Sequence, residues 1–261
     1  MDIEILELID GAKRASGLTV IIDVFRAFSL EAYLYSRGAA GIVAVSSLET
    51  AFKLKEENPD SILIGERGGA MCKGCDYGNS PSQTLDGDVR GKQIIHTTGA
   101  GTQGIINATG ADEIITGSLV NASAAASYIT MKNPSHVSIV AMGNAGVKRA
   151  REDVICAEYI RSLILRSENS DRKIENDICS ISTNSILSST DTSTDHYDID
   201  SQISTLRENG GAHFFNPETQ KIFPKEDFLM CTRHDIFDFV IHAERAGNDM
   251  CHMLRSDISH I

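Results

Sequence analysis

The chain has 261 residues, 24 Lys and Arg against 36 Asp and Glu for a formal net charge of −12, 41% hydrophobic residues and 5 Pro. That balance excludes collagenous, mucin-like and wholly disordered chains, and no apolar run approaches the ~20 residues needed to span a bilayer. The acidic excess would repel a phosphate backbone and the basic residues form no stripe, so nucleic acid is excluded as a partner too.

The opening MDIEILELID carries acids where a secretory signal carries Lys or Arg, which predicts a cytoplasmic protein with reduced thiols. From residue 19, apolar runs of strand length alternate with segments of helical period. Val20-Ile21-Ile22 leads into a helix over Phe25–Tyr35, Ile42–Val45 into Leu48–Lys55, and Ile62-Leu63-Ile64 into a long Gly-rich loop. Ile94-Ile95 leads into Thr102–Ala108, Ile114-Ile115 into Leu119–Ile129, and Val137–Val140 into Glu152–Leu165. This alternation predicts a buried, mostly parallel sheet with helices on both faces. Gly38-Ala39, Ile42-Val43, Ser47-Leu48 and Ala51 echo Gly110-Ala111, Ile114-Ile115, Ser118-Leu119 and Ala122, which suggests two related βαβα units.

Residues 167–211 are dominated by Ser, Thr, Asn and Asp and predict a polar peripheral insertion with one amphipathic helix at Ile199–Leu206. Phe214, Phe223, Phe228 and Phe237–Ile241 then rejoin the main fold. A single domain over residues 1–261 is expected, and the frequency of closed symmetric oligomers makes a homodimer the expected assembly.

Polar residues concentrate where apolar strands end. Asp23 follows the first strand, with Arg26 and Ser29 behind it; Glu66-Arg67 follows Ile62–Gly65; His96-Thr97-Thr98-Gly99-Ala100-Gly101-Thr102 follows Gln93–Ile95. Carboxylates, arginines and a Gly/Thr turn brought to one edge of an α/β sheet suit a hard cation and a phosphate group. Mg²⁺ takes one or two carboxylates with water and phosphate oxygens, Arg offers a planar fork of donors, and a turn opening a helix offers free amides.

Other chemistries fit less well. Cys72-Lys-Gly-Cys75 has metal or redox spacing but no second pair. Gly99-Ala-Gly-Thr-Gln-Gly104 satisfies GxGxxG and makes an NAD(P) oxidoreductase a rival, yet the next strand ends Ile114-Ile-Thr-Gly-Ser-Leu119 without the acid that would hold a ribose. Phe25 stands where an aspartyl phosphatase needs a second acid, and Arg161 follows Cys156 by five residues where a thiolate phosphatase needs six. Attack by a metal-activated water remains, with Asp23 as the alternative nucleophile.

The segments Val20–Ser29 (VIIDVFRAFS), Gly65–Gly69 (GERGG), Asp76–Pro81 (DYGNSP), Thr97-Thr98 with Gly101-Thr102, Gly117–Ala122 (GSLVNA) and Glu152-Asp153-x-x-Cys156-Ala157 resemble, in the same order, motifs of the 2-phosphosulfolactate phosphatase family. The resemblance implies a three-layer α/β/α fold with a mixed sheet, and a Mg²⁺-dependent phosphatase that releases phosphate from 2-phospho-3-sulfolactate, a step towards coenzyme M. It implies that Asp23, Arg26, Glu66, Arg67, Asp76, Asn79, Ser80, Thr97, Thr98, Thr102, Asn121, Glu152 and Asp153 line the site. On this basis Asp23, Glu66 and Asp76 are assigned to the metal. Arg26, Arg67, Asn79, Ser80, Asn121 and the turn with Gly99 and Gly101 are assigned to a small anionic phosphorylated substrate, and Glu152 or Asp153 to the leaving-group proton. Phe28, Cys75 and Ala100 depart from the family pattern, which keeps open a different phosphorylated hydroxy-acid, or a homologue that binds anions without turnover.

Overall fold

A computed structural model of the chain describes residues 1–181 and 197–260. In chain order the elements are β1 (Asp2–Glu7), α1 (Leu8–Arg14), β2 (Ser16–Ile22), α2 (Ala27–Ser36), β3 (Gly41–Val45), α3 (Leu48–Glu57), β4 (Ile62–Arg67), β5 (Ala70–Met71), β6 (Gln93–Thr97) and α4 (Gly101–Asn107). There follow β7 (Gly110–Gly117), α5 (Ala122–Lys132), β8 (His136–Ala141), α6 (Arg151–Ile181), α7 (Ile199–Leu206), α8 (Lys225–Cys231), β9 (Phe239–Arg245) and β10 (Met250–Asp257). Of the polar segment 167–211, the helix at Ile199–Leu206 forms as expected and α6 extends to Ile181, while residues 182–196 lie outside the described residues.

Among the described residues ten strands form one sheet in the order β1-β8-β2-β7-β9-β10-β3-β6-β4-β5. β1, β8, β2 and β7 are mutually parallel, as are β3, β6 and β4. The hairpin β9–β10 joins these two leaves, antiparallel to β7 on one side and to β3 on the other, so the sheet is mixed. The two suggested βαβα units interlock: β2 of the first pairs β7 of the second, and β3 of the first pairs β6 of the second.

Helices cover both faces, giving three layers. Alternating side chains of one strand serve opposite cores, since Ile21 joins Phe28, Leu34 and Ile105 under α2 and α4, whereas Val20 and Ile22 join Tyr128, Ile155 and Ile160 under α5 and α6. A third cluster of Val45, Ala51, Leu63 and Ile95 lies under α3, whose start is fixed by the Ser47 hydroxyl accepting the Thr50 N–H. Gly104 lets α4 lie on β2, because a Cβ there would come within 2.7 Å of Ile21 Cγ2 and 2.5 Å of Met142 Sδ.

Around the hairpin the two leaves run in opposite senses, which in a flat sheet would put the ends of β2 and β6 at opposite edges. Strand twist accumulates by roughly 20–25° per neighbour, and the two ends meet: the Gly101 N–H donates to Asp23 Oδ2 at 3.0 Å. The site forms at that meeting point.

Candidate active site

Segments at the ends of β2, β4, β6 and β8 enclose a cavity of about 370 Å³, closed over by His213, Phe214 and Phe223. Among the described residues three carboxylates line it: Asp23, Glu66 and Glu152, respectively 7%, 8% and 4% exposed. Asp23 is pinned by two amides, Oδ1 accepting from Ala27 N at 3.3 Å and Oδ2 from Gly101 N. Glu66 is held likewise, Oε2 accepting from Gly69 N at 2.7 Å and Oε1 from Gly99 N at 2.9 Å. Each oxygen keeps a further lone pair for a ligand.

These acids repel one another and pay for burial. Desolvation, opposed by the Ala27 amide and reinforced by Glu66, pushes Asp23 up to about 6. Desolvation, with a smaller contribution from Asp23, pushes Glu152 up to about 7. Asp153 is driven well up by desolvation and by both neighbours. It does not line the cavity. Its Oδ1 accepts from Val24 N at 2.8 Å and its Oδ2 from Gly143 N at 2.7 Å, so it ties the end of β2 to the end of β8.

Arg26 is the arginine of the cavity, and its charge is already matched. One guanidinium nitrogen donates to Asp227 Oδ2 at 2.7 Å and to Ile222 O at 3.0 Å; the other donates to Gly69 O at 2.8 Å. Both ions are buried, at 3% and 0% exposure. Asp227 Oδ1 accepts from Ser80 Oγ and Ser82 N, both at 2.9 Å, and the Phe223 ring lies 5.0 Å from the guanidinium.

Of the residues assigned from sequence, the cavity gathers Asp23, Arg26, Glu66, Asn79, Gly99 and Glu152, with Gly101 behind them as donor to Asp23. Asp76 is elsewhere. After β5 the chain turns back beside β4, with Tyr77 bridging Ile64, so Asp76 lies level with Leu63, about 10 Å along the strand from Glu66. Its Oδ2 accepts from Leu63 N at 2.8 Å and pairs with Lys55 at 3.0 Å. Arg67 folds away from the cavity onto Ser46 O and Thr97 Oγ1. Ser80 serves Asp227, and Asn121 accepts from Ser118 N and Oγ in the turn before α5. Thr98 and Thr102 are buried outside the lining, with Thr98 Oγ1 lacking a partner among the described residues. Ala100 lines the cavity and gives α4 no side-chain cap, and Phe28 packs against Gly101.

Sequence reasoning misses the roof. His213, Phe214 and Phe223 close the cavity, Phe25 stacks edge-on to Phe214 at 5.0 Å, and Asn144 and Ala145 complete the wall. Burial, helped by Arg26, lowers the His213 pKa. The aromatic run His213-Phe214-Phe215 after a polar stretch is the one sequence signal for this roof; nothing in the sequence marks Asp227 as the partner of a residue 201 positions away.

The rival chemistries lack support in this geometry. The Gly101 amide, where a pyrophosphate would sit in a dinucleotide site, already serves the Asp23 carboxylate. Burial raises the Cys72 thiol and pushes Cys75 up to about 11, so neither is a ready thiolate. Among the described residues no three His, Cys, Asp or Glu side chains stand close enough to hold a metal by themselves. Mg²⁺ needs fewer, because water and substrate oxygens complete its shell. Asp23 and Glu66 beside the charge-matched Arg26 leave an excess of hard anionic oxygen, and that donor set fits such an ion. No helix among the described residues is long and apolar enough to cross a membrane.

The model of a family described as 2-phosphosulpholactate phosphatase matches residues 3–246. A probable 2-phosphosulfolactate phosphatase of Caldicellulosiruptor saccharolyticus is 37% identical over 153 residues, 57% of this chain and 62% of that protein. A protein of the same description from Thermoplasma volcanium is 33% identical over 68% of this chain and 87% of its own length. One from Bacillus subtilis is 27% identical over 89% of each.

Proposed function

Because the chain belongs to the 2-phosphosulpholactate phosphatase family, we propose that it is a phosphoric monoester hydrolase acting on 2-phospho-3-sulfolactate, or a closely related phosphorylated hydroxy-acid, with Mg²⁺ as its metal. One observation carries this reading: Asp23, Glu66 and Glu152 face a single cavity whose arginine is already neutralised by Asp227. Asp23 and Glu66 would hold the ion, which when bound would offset the charge of the phosphoryl group.

The chain's own residues do the rest. The amides of Ala27, Gly101, Gly69 and Gly99 fix both carboxylates, so neither has to be ordered when substrate arrives. Asp227 and the Gly69 and Ile222 carbonyls hold the Arg26 guanidinium in one orientation, leaving its remaining N–H groups for phosphoryl oxygens. Glu152, lifted to about 7, carries a proton below neutral pH and delivers it to the ester oxygen as the P–O bond breaks, while water supplies the oxygen of the released phosphate. Phe214 and Phe223 keep bulk water off the reacting atoms.

The test is phosphate release from 2-phosphosulfolactate and a panel of small phosphorylated hydroxy-acids, with and without Mg²⁺, for the wild type and Asp23→Asn. The expected result is Mg²⁺-dependent release that the substitution abolishes while 3-sulfolactate still binds. Absence of release from every ester would sink the reading and favour a binding protein.

A further inference from the structure

We propose that a second chamber beside the catalytic cavity is an anion subsite in which Lys221 and Asn79 hold the sulfonate or carboxylate arm of the substrate. The inference rests on the phosphatase reading and deepens it. The chamber has a volume of about 340 Å³ and shares Arg26, Gly69 and Asn79 with the catalytic cavity, so these residues form the partition between the two.

The two spaces differ in charge. Among the described residues three carboxylates line the catalytic cavity, whereas no Asp or Glu lines the chamber, in a chain with a net charge of −12. Lys221 stands in its wall, makes no ion pair among the described residues, and is therefore a cation with charge to spare. An anion without a metal is repelled by the carboxylates on one side of the partition and attracted on the other.

Asn79 is the second, independent observation. It is 5% exposed, its Oδ1 is buried without a hydrogen-bond partner among the described residues, and it touches both spaces. A buried carboxamide oxygen without a partner is costly, and oxygen and nitrogen of the carboxamide can exchange places by a flip that turns the amide donors towards an anion at that position. Ser80 is not available for this, since its hydroxyl already donates to Asp227. Gln83 adds a second amide, and Met71 and Ile222, 55% and 40% exposed, offer apolar contact to the carbon skeleton. A short hydroxy-acid carries its anionic groups close enough together for one guanidinium to stand between them. The transferred phosphoryl group then lies on the acidic side of Arg26 and the retained arm on the other.

Steady-state kinetics of the full chain and its Lys221→Gln variant test this with three esters: 2-phosphosulfolactate, 2-phospholactate, which lacks the sulfonate, and 1-sulfopropan-2-yl phosphate, which lacks the carboxylate. Removing a charge-assisted contact should raise KM roughly ten-fold or more for 2-phosphosulfolactate, with kcat within about two-fold. KM should stay unchanged for whichever shortened ester lacks the arm that Lys221 holds, which identifies that arm. A KM change shared equally by all three esters, or by none, would overturn the subsite. If the wild type releases phosphate from none of them, the phosphatase reading fails separately. The chamber is then judged by calorimetric binding of sulfoacetate, where about ten-fold weakening in Lys221→Gln supports it, and absent or equal binding overturns it.

Discussion

Replacing Glu152 by Gln should stabilise the protein at alkaline pH while ending turnover. Glu152 rises from an ordinary 4.5 to about 7 in the fold, mainly through burial. The folded state therefore keeps a proton that the unfolded chain gives up, and stability falls as pH climbs from about 4.5 to 7, then levels off. At about 1.36 kcal/mol per pKa unit the full loss is about 3 kcal/mol. A glutamine at this position would have the shape of the protonated acid and nothing to ionise, so the variant should match the wild type at pH 4 and exceed it by up to about 3 kcal/mol at pH 8. For a chain of this size that corresponds to a melting shift of roughly 6 °C or more. The assay is thermal and urea unfolding of both proteins at pH 4 and pH 8 in a chelating buffer, repeated with Mg²⁺. Metal should narrow the difference at pH 8, because an ion beside Asp23 relieves the repulsion that reaches Glu152. Equal stability of the two proteins at pH 8, or a less stable variant there, would refute the claim that burial holds the Glu152 carboxyl above its ordinary value.

Asp227→Ala should cost about 3–5 kcal/mol in urea denaturation, since it strands the Arg26 charge in a site where both partners are almost wholly buried; a loss under 1 kcal/mol would show that water reaches the pair. The rate of phosphate release at saturating substrate should decline above about pH 7, where Glu152 loses its proton. A pH–rate profile still rising at pH 9 would remove Glu152 from the proton-donor role.

Much of this geometry is legible in the sequence because it lies at strand ends. Asp23 and Glu66 each stand at the carboxyl end of an apolar strand, which the sequence shows; that the two strands run in opposite senses and meet only through the twist, it does not. Asp76 fails for a spatial reason: it is only ten residues beyond Glu66, but the β4–β5 hairpin and the following turn reverse the chain, so closeness in sequence becomes distance along β4. Arg67 and Asn121 have the right neighbours in sequence and give their hydrogen bonds to the fold. The pairing of Arg26 with Asp227 has no local signature at all, because it depends on how the C-terminal third packs over the sheet. Two strands were there to be read. Asp2-Ile3-Glu4-Ile5 alternates as an exposed-edge strand does, and in β10 Cys251 and Met253 are buried while His252 and Leu254 are exposed.

The place of β9 and β10 bears on how the chain is made. β9 and β10 follow every other described strand in sequence, so a growing chain exposes the strands of both leaves before it has anything to lay between them. Until then β7 and β3 each present a bare edge, the form of exposed backbone that recruits strands from other molecules. Deletion of residues 239–257 would remove the seam of the sheet rather than a fringe, leaving two half-sheets with no strand to close them.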